Sequence, residues 1–182
     1  AKRLSPEAPV PVLNPLHIVN NPGMAGNTAA NVIALAPDVN IMKFIQEDDI
    51  IKTRYVEEKS NHMFLRVDEG EDYVKPFKWG PAADVMLGQA DIVIVNSKRR
   101  LTNDVIEDFS FVKLNELERI NNPELINDNI ITTLGSRGAE YKNTIYPSPK
   151  PQETIDVSGA GDTFTASFII KHHQLKDERV AI

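Results

Sequence analysis

Short apolar runs alternate with helical patterns along most of this chain of 182 residues. Apolar runs of this length, bounded by polar residues, are typical of buried strands. The runs are VNIMKFI (39–45), DIVIV (91–95), SFVKL (110–114) and NIITTL (129–134). Segments with helical spacing lie between them, at 82–90, 102–109 and 115–120. Strands that alternate with helices predict an α/β domain built on a mainly parallel sheet.

Two further segments depart from this alternation. IIKTRYVEE and HMFLRVDEG show partial alternation of apolar and polar residues, and a polar KSN turn joins them. This pattern predicts an antiparallel pair that forms a small flap at about 50–70. LHIVN (16–20) is a candidate short strand after a proline-rich start. Because 182 residues are enough for one good core but too few to favour two full domains, we expect a single domain over 1–182.

Composition excludes several classes of function. The formal net charge of −6 argues against a nucleic-acid binder that works by neutralising phosphates. The chain has no cysteine, which excludes disulfides, thiolate zinc sites and a cysteine nucleophile. No apolar run approaches the length of a membrane span. We therefore expect a cytoplasmic protein that binds neither membranes nor nucleic acids.

The stretch DVSGAGDTF carries the most specific chemistry. Gly159, Ala160 and Gly161 stand between two aspartates and lead directly into an apolar helical run. Small residues at a helix N-terminus expose backbone N–H groups to an anion such as phosphate. Asp162 would then lie beside the bound group, where it can accept the proton of an attacking hydroxyl. A capping or helix-dipole role for Asp162 is equally compatible with the spacing.

DVSGAGDTF resembles the D-x-x-G-A-G-D-x-F motif of the ribokinase-like (PfkB) family of carbohydrate kinases, with matches from Asp156 to Phe164. The resemblance implies a three-layer α/β/α sandwich with a mainly parallel sheet. It implies that Asp162 is the catalytic base and that the amides of Gly159, Ala160 and Gly161 hold the charge of the transferred phosphoryl group. It also places Asp156 on the nucleotide side.

Other family motifs follow in the same order along the chain. PGMAGNTAAN resembles the sugar-binding di-glycine segment, with Gly23 and Asn27 matched and Met24 in place of the second glycine. LNELE resembles N-x-x-E, which implies that Asn115 and Glu118 organise the phosphates and Mg²⁺, with Glu118 acting through water. The nucleotide-side matches also include Lys98 of a D-x-K motif, in which Asn96 replaces the aspartate, and Thr133, Gly135 and Gly138 of a T-x-G-x-x-G turn. Taken alone, N-x-x-E also fits a solvated helix face, and the glycines also fit a simple turn.

A narrower likeness concerns the acceptor. KRLSPEAPVPVL, IIKTRYV and FLRVD resemble segments of the kinase domains of the bifunctional heptose-phosphate kinase/adenylyltransferase group. Basic residues on a flap suit an acceptor that already carries a phosphate, since arginine can bind phosphate through two hydrogen bonds. The likeness nominates a set of residues on the substrate side: Arg3, Ser5, Glu7, Lys52, Thr53, Arg54, Arg66 and Asp68.

Together these resemblances imply an ATP- and Mg²⁺-dependent kinase for a sugar or sugar phosphate, closed by the flap and forming a homodimer through it. Segments expected of the family before Ala1, near residue 96 and after Ile182 are absent from the sequence, so we expect it to be part of a longer polypeptide. Two alternatives stay open: a kinase for nucleosides or other small molecules, and a catalytically silent relative that binds sugar or nucleotide.

Overall fold

The fold was analysed in a computed structural model, which describes residues 4–44, 50–71, 74–96, 98–150, 159–177 and 181–182. The helices are α1 (Met24–Leu35), α2 (Ala83–Gln89), α3 (Asn103–Ile106), α4 (Glu116–Ile120) and α5 (Ala160–Leu175). The strands are β1 (Ile51–Val56), β2 (Met63–Glu69), β3 (Ile94–Val95), β4 (Phe111–Asn115), β5 (Ile130–Thr133), β6 (Ala139–Tyr141) and β7 (Thr144–Tyr146). None of the described helices is long and apolar enough to cross a membrane.

The main sheet has the strand order β3-β4-β5-β6-β7. β3, β4 and β5 are parallel, whereas β6 and β7 return antiparallel through tight turns. The α/β class predicted from the sequence is confirmed, and the sheet is mixed rather than mainly parallel. The antiparallel part arises because only a few residues, around Gly135–Arg137 and Lys142–Asn143, separate its strands, too few for a helical crossover.

Both faces of the sheet are covered, which gives three layers. Alternate residues of β4 point to opposite faces. Val112 and Leu114 pack into a core that includes Ile106 of α3, and Phe111 packs against Phe168 of α5. The Phe111 and Phe168 rings meet edge to face, with their centroids 4.7 Å apart. Both core clusters are therefore anchored on β4, the strand that leads into the N-x-x-E segment.

The flap predicted at about 50–70 is present as a two-stranded antiparallel sheet of β1 and β2. Lys52 pairs in register with Asp68, and Arg54 pairs with Arg66, before a bulge at Tyr55 and Val56. Among the residues that the structure describes, the flap forms no ladder with the main sheet. A two-stranded sheet is marginally stable by itself, so the flap depends on other contacts to hold its position.

The strands predicted at 16–20 and 39–45 are wrong. Residues 12–23 and 39–44 run without regular structure, and Ile45 lies outside the described residues. Pro11 and Pro15 have no N–H to give to a ladder, and the bridge between Leu4 and Pro11 is the one pairing found there among the described residues. Ile18 is consequently 84% exposed, although its apolar neighbours suggested burial.

Candidate active site

The first turn of α5 carries the aspartate of the glycine-rich motif. Gly159 is the N-cap in a left-handed conformation, with φ 80° and ψ −4°, which glycine adopts without a steric penalty. The cap supplies no side-chain hydrogen bond, so the first N–H groups of α5 have no side-chain cap. Asp162 lies within this turn. The predicted juxtaposition of an amide-lined helix start and a carboxylate is therefore present.

Two side-chain amides hold the Asp162 carboxylate. Asn27 of α1 donates from Nδ2 to Oδ2 over 2.8 Å, and Asn96, directly after β3, donates from Nδ2 to Oδ1 over 2.8 Å. α1 packs along α5, and Asn31 of α1 also donates to the Thr163 hydroxyl over 3.2 Å. The resemblance implied a sugar contact for Asn27, and the structure adds a direct bond from Asn27 to Asp162.

Lys113 is a candidate functional residue that the sequence analysis did not identify. It belongs to the α5 side of β4 and is only 6% exposed. A β-carbon on residue 161 would lie 3.0 Å from Lys113 Nζ, so the ammonium group sits against the backbone of the Gly159–Gly161 turn. The signal that could have identified it is a lysine inside an otherwise apolar strand, two residues before Asn115.

Burial lowers the pKa of Lys113 from its ordinary value of 10.5, because the charged form loses solvation. The negative charges of Glu118 and Asp162 oppose this shift, and the positive charge of Lys98 adds to it. Lys113 is therefore a buried lysine whose charged form is disfavoured by burial and favoured by the charges of Glu118 and Asp162. Such a group can stabilise negative charge that develops on a phosphoryl group held at the start of α5.

The N-x-x-E segment forms a reciprocal cap at the start of α4. Asn115 Oδ1 accepts from Glu118 N over 2.7 Å, and Glu118 Oε2 accepts from Asn115 N over 2.8 Å. Glu118 Oε1 pairs with Lys98 Nζ at 2.8 Å. The helix cap thus accounts for the N-x-x-E spacing. The cap and the ion pair also join three of the predicted nucleotide-side residues, Lys98, Asn115 and Glu118, into one unit.

No group of three or more His, Cys, Asp or Glu side chains that could hold a metal occurs among the described residues. Glu118 offers one partly buried carboxylate, with 14% of its side chain exposed. Mg²⁺ is commonly held by one or two carboxylates together with waters and substrate phosphates. Glu118 fits that kind of site, in which the protein supplies few of the ligands.

The predicted nucleotide turn follows β5. Thr133 is in register with Asn115 of β4, and its hydroxyl donates to the Leu114 carbonyl over 3.3 Å. Gly135 and Gly138 both have positive φ, and a β-carbon on residue 138 would lie 2.0 Å from the Tyr146 carbonyl oxygen. Asn96, Asn115 and Thr133 therefore lie at the carboxyl ends of parallel strands, the edge at which ligands bind in open α/β sheets.

A cleft of about 2990 Å³ opens above the Asp162 carboxylate. It is lined by candidate residues from four parts of the chain: Gly23 and Asn27, Lys52 with Thr53 and Arg54, Asn96 and Lys98, and Gly159 with Ala160 and Asp162. Lys98 of the predicted nucleotide side lines the cleft, whereas Asn115, Glu118, Thr133, Gly135 and Gly138 do not.

Several substrate-side candidates lie elsewhere. Arg66 binds Asp68 through two hydrogen bonds of 2.7 Å, and neither residue lines the cleft. The Arg66 guanidinium is the main reason that the pKa of Asp68 falls to about 2. Ser5 and Glu7 contact each other in the N-terminal segment and do not line the cleft. Arg3 and Asp156 lie outside the described residues.

Comparison with known proteins places this chain in a family. The profile described as "pfkB family carbohydrate kinase" matches residues 71–175, which include β3 to β7 and the whole of α5. The ribokinase-like α/β fold implied by that family agrees with the three-layer arrangement described above.

Among the relatives are proteins named "Bifunctional protein HldE". The one from Coxiella burnetii (strain Dugway 5J108-111) is 48% identical over 48 residues, which are 26% of this chain and 10% of the relative. The one from Psychromonas ingrahamii is 41% identical over 61 residues, or 34% of this chain and 13% of the relative.

The one from Shewanella piezotolerans is 24% identical over 202 aligned positions, or 97% of this chain and 40% of the relative. The chain thus spans two-fifths or less of these curated relatives. With more than half of its residues matched by the family profile, the chain belongs to the pfkB family of carbohydrate kinases.

Proposed function

We propose that this chain transfers the γ-phosphoryl group of ATP to a hydroxyl of a sugar or sugar phosphate. The observation that carries the proposal is the position of Asp162 in the first turn of α5, beside the Gly159–Gly161 turn and in the cleft. In this scheme Asp162 accepts the hydroxyl proton as the oxygen attacks the γ-phosphorus. The bond from phosphorus to the ADP oxygen breaks, and ADP leaves.

The other residues of the site position the two substrates. The amides at the start of α5 and the Lys113 ammonium stabilise charge on the transferred group. The unit of Lys98, Asn115 and Glu118, together with Thr133, Gly135 and Gly138, forms the nucleotide side. When bound there, Mg²⁺ neutralises charge on the ATP phosphates, and Glu118 would hold it through water.

An acceptor that already carries a phosphate suits the flap side of the cleft. Lys52, Thr53 and Arg54 of β1 line the cleft, and Arg54 is exposed. Arginine binds phosphate through two parallel hydrogen bonds. The resemblance of KRLSPEAPVPVL, IIKTRYV and FLRVD to heptose-phosphate kinase domains also favours a heptose phosphate as the acceptor. Closure of the flap would exclude water and limit ATP hydrolysis.

The function is tested by a coupled assay of ADP release with a panel of free sugars, sugar phosphates and nucleosides. We expect release that depends on acceptor, is greatest with a sugar phosphate, and stops when EDTA removes Mg²⁺. Greatest activity with nucleosides would instead place the chain among nucleoside kinases of the same family. ATP binding without ADP release for any acceptor would support a catalytically silent relative that binds sugar or nucleotide. Met24 and Asn96 favour this alternative, because both depart from the family motifs.

We also propose that the chain forms a homodimer through the flap. Ile51, Val56, Met63, Phe64 and Leu65 are each between 42% and 53% exposed on β1 and β2. Such side chains and the unpaired strand edges favour association with a second sheet. By light scattering the mass should be about twice the 20.3 kDa of one chain, and Phe64→Lys should lower it toward that of a monomer. If the unsubstituted protein had the mass of a single chain at the concentration of the assay, the proposed dimer would be contradicted.

A further inference from the structure

The orientation of the Asp162 carboxylate is fixed from outside its own helix. Rotation about the last bond of an aspartate side chain is broad and roughly two-fold, so the side chain does not set the plane of its oxygens. Here one oxygen accepts from Asn27 and the other from Asn96, each over 2.8 Å. The two amides therefore define how the carboxylate is presented to a substrate.

Asn96 is the donor that comes from the main sheet. It directly follows Val95, which is 5% exposed and pairs with β4 in the main sheet. The Asn96 amide also lies 3.5 Å from the hydroxyl of Thr28, which is 7% exposed. Asn27, by contrast, is at the start of α1, where the family resemblance implies contact with the sugar.

We propose that Asn96 is a positioning residue, whose amide holds Asp162 Oδ1 and, together with the amide of Asn27 on Oδ2, fixes the plane in which the carboxylate meets the acceptor hydroxyl. This inference rests on the proposed function, because it assigns the geometry of a base that the function requires. When the acceptor hydroxyl binds, its O–H proton passes to the Asp162 carboxylate as its oxygen forms the bond to phosphorus and the bond from phosphorus to ADP breaks. Asn96 keeps its hydrogen bond to Oδ1 throughout and takes no part in the proton transfer.

The protonation of Asp162 should then depend on whether residue 96 carries a charge. Asn96 is neutral, so Asp162 has no second carboxylate against it at this point. Lys113 of β4 interacts electrostatically with Asp162, with Glu118 of α4 and with Lys98 after β3, and Lys52 and Arg54 of the flap and His173 of α5 line the same cleft. In the variant Asn96→Asp a second carboxylate would lie beside the Asp162 carboxylate. Repulsion between the two negative charges would favour the protonated form of Asp162.

The decisive experiment is the pH profile of kcat/KM for Asn96→Asp. We expect the acidic limb of this profile to shift to higher pH by about one unit or more. Two carboxylates that share a site repel each other, so one of them is protonated at a higher pH. The loss of activity should therefore be greater at pH 6 than at pH 8.5. Asn40→Asp adds the same charge in the same cleft but without a hydrogen bond to Asp162, and should leave the limb near its parent position. Coincident limbs for Asn96→Asp and the parent, or equal shifts for both variants, would overturn the proposal.

Asn96→Ala removes the donor without adding charge. We expect kcat to fall about 10- to 100-fold, the effect of a misplaced catalytic group, with the KM for ATP unchanged. Asn96→Gln, which retains an amide, should recover part of the loss. A parent-like kcat for Asn96→Ala, or a loss confined to KM, would contradict a positioning role.

A measurement independent of turnover separates this inference from the proposed function. The Asp162 carboxyl carbon can be followed by ¹³C NMR during a pH titration, with its resonance assigned from Asp162→Asn. Asn96→Asp should raise the titration midpoint of Asp162 even if no acceptor is phosphorylated. An unchanged midpoint with an active parent would overturn the role of Asn96 alone. A raised midpoint with an inactive parent would support the contact and overturn the function.

Discussion

Asp162→Asn is expected to lower kcat by about 10²- to 10⁴-fold, the usual contribution of a general base. Asparagine has nearly the same shape, so the start of α5 should form as before. Its amide cannot accept the hydroxyl proton, and one of its two terminal atoms is now a donor that faces the amide of Asn27 or Asn96. The KM for ATP should change little, because the nucleotide-side residues are untouched.

The matched control is Asp84→Asn. Asp84 is likewise an acidic residue in the first turn of a helix, α2, but it is exposed and does not line the cleft. Turnover of this variant should equal that of the parent, and calorimetric titration should give an unchanged affinity for ATP in both variants. Near-parent turnover of Asp162→Asn would exclude Asp162 as the base.

Lys113→Met should have opposite effects on activity and on stability. It removes the buried ammonium group behind the Gly159–Gly161 turn, and loss of one such charge-stabilising group typically lowers kcat by about 10²- to 10³-fold. The free energy of unfolding should rise, because burial lowers the pKa of Lys113 and the charged lysine is therefore less stable in the folded chain than in the unfolded one. Methionine is flexible and apolar and fills irregular core space well.

The pH dependence of stability supplies a second readout for Lys113. A lysine whose folded-state pKa is lowered destabilises the fold most at pH values below that pKa. The penalty diminishes as pH rises through it toward 10.5, the ordinary value. The stability advantage of Lys113→Met in urea unfolding should therefore be greatest near neutral pH and shrink in alkaline buffer.

The exposed Lys171 of α5 provides the control for Lys113. Lys171→Met removes the same charge from an exposed position, so its activity and stability should stay close to those of the parent. A Lys113→Met variant that unfolds at lower urea would show that the ion-pair attractions of Lys113 outweigh its desolvation. An unchanged kcat would remove Lys113 from the site.

Features that depend on local sequence were predicted well. The glycine-rich turn into α5, the flap pair and the helix at Asn103–Ile106 follow from caps, turns and alternation over a few residues. The prediction at 16–20 failed because a strand needs a partner as well as apolar residues. The prediction of a mainly parallel sheet missed the antiparallel edge formed by β6 and β7. This edge arises because the loops that join these strands are too short for a helical crossover.

The contacts within the site could not be predicted in the same way. Lys113 and Gly161 are far apart in the chain, and only the packing of α5 on β4 brings the ammonium to the turn. The sequence motifs assigned Asn27 to the sugar and treated Asn96 as a departure from a motif. Their shared contact with Asp162 depends on how α1 and β3 meet α5. Asn115 and Glu118 were predicted as one motif, but their reciprocal cap and the pairing with Lys98 required the structure.

The two amides that hold Asp162 also link activity to the completion of folding. Asn27 is 135 positions from Asp162 in the chain, and Asn96 is 66 positions away. During synthesis both asparagines leave the ribosome before the aspartate, so Asp162 has its final geometry only after α1, β3 and α5 have assembled. A chain that is still incomplete or has lost its N-terminal segment would contain the aspartate without its fixed orientation. The appearance of phosphoryl transfer during refolding would then report the last assembly step rather than the formation of α5.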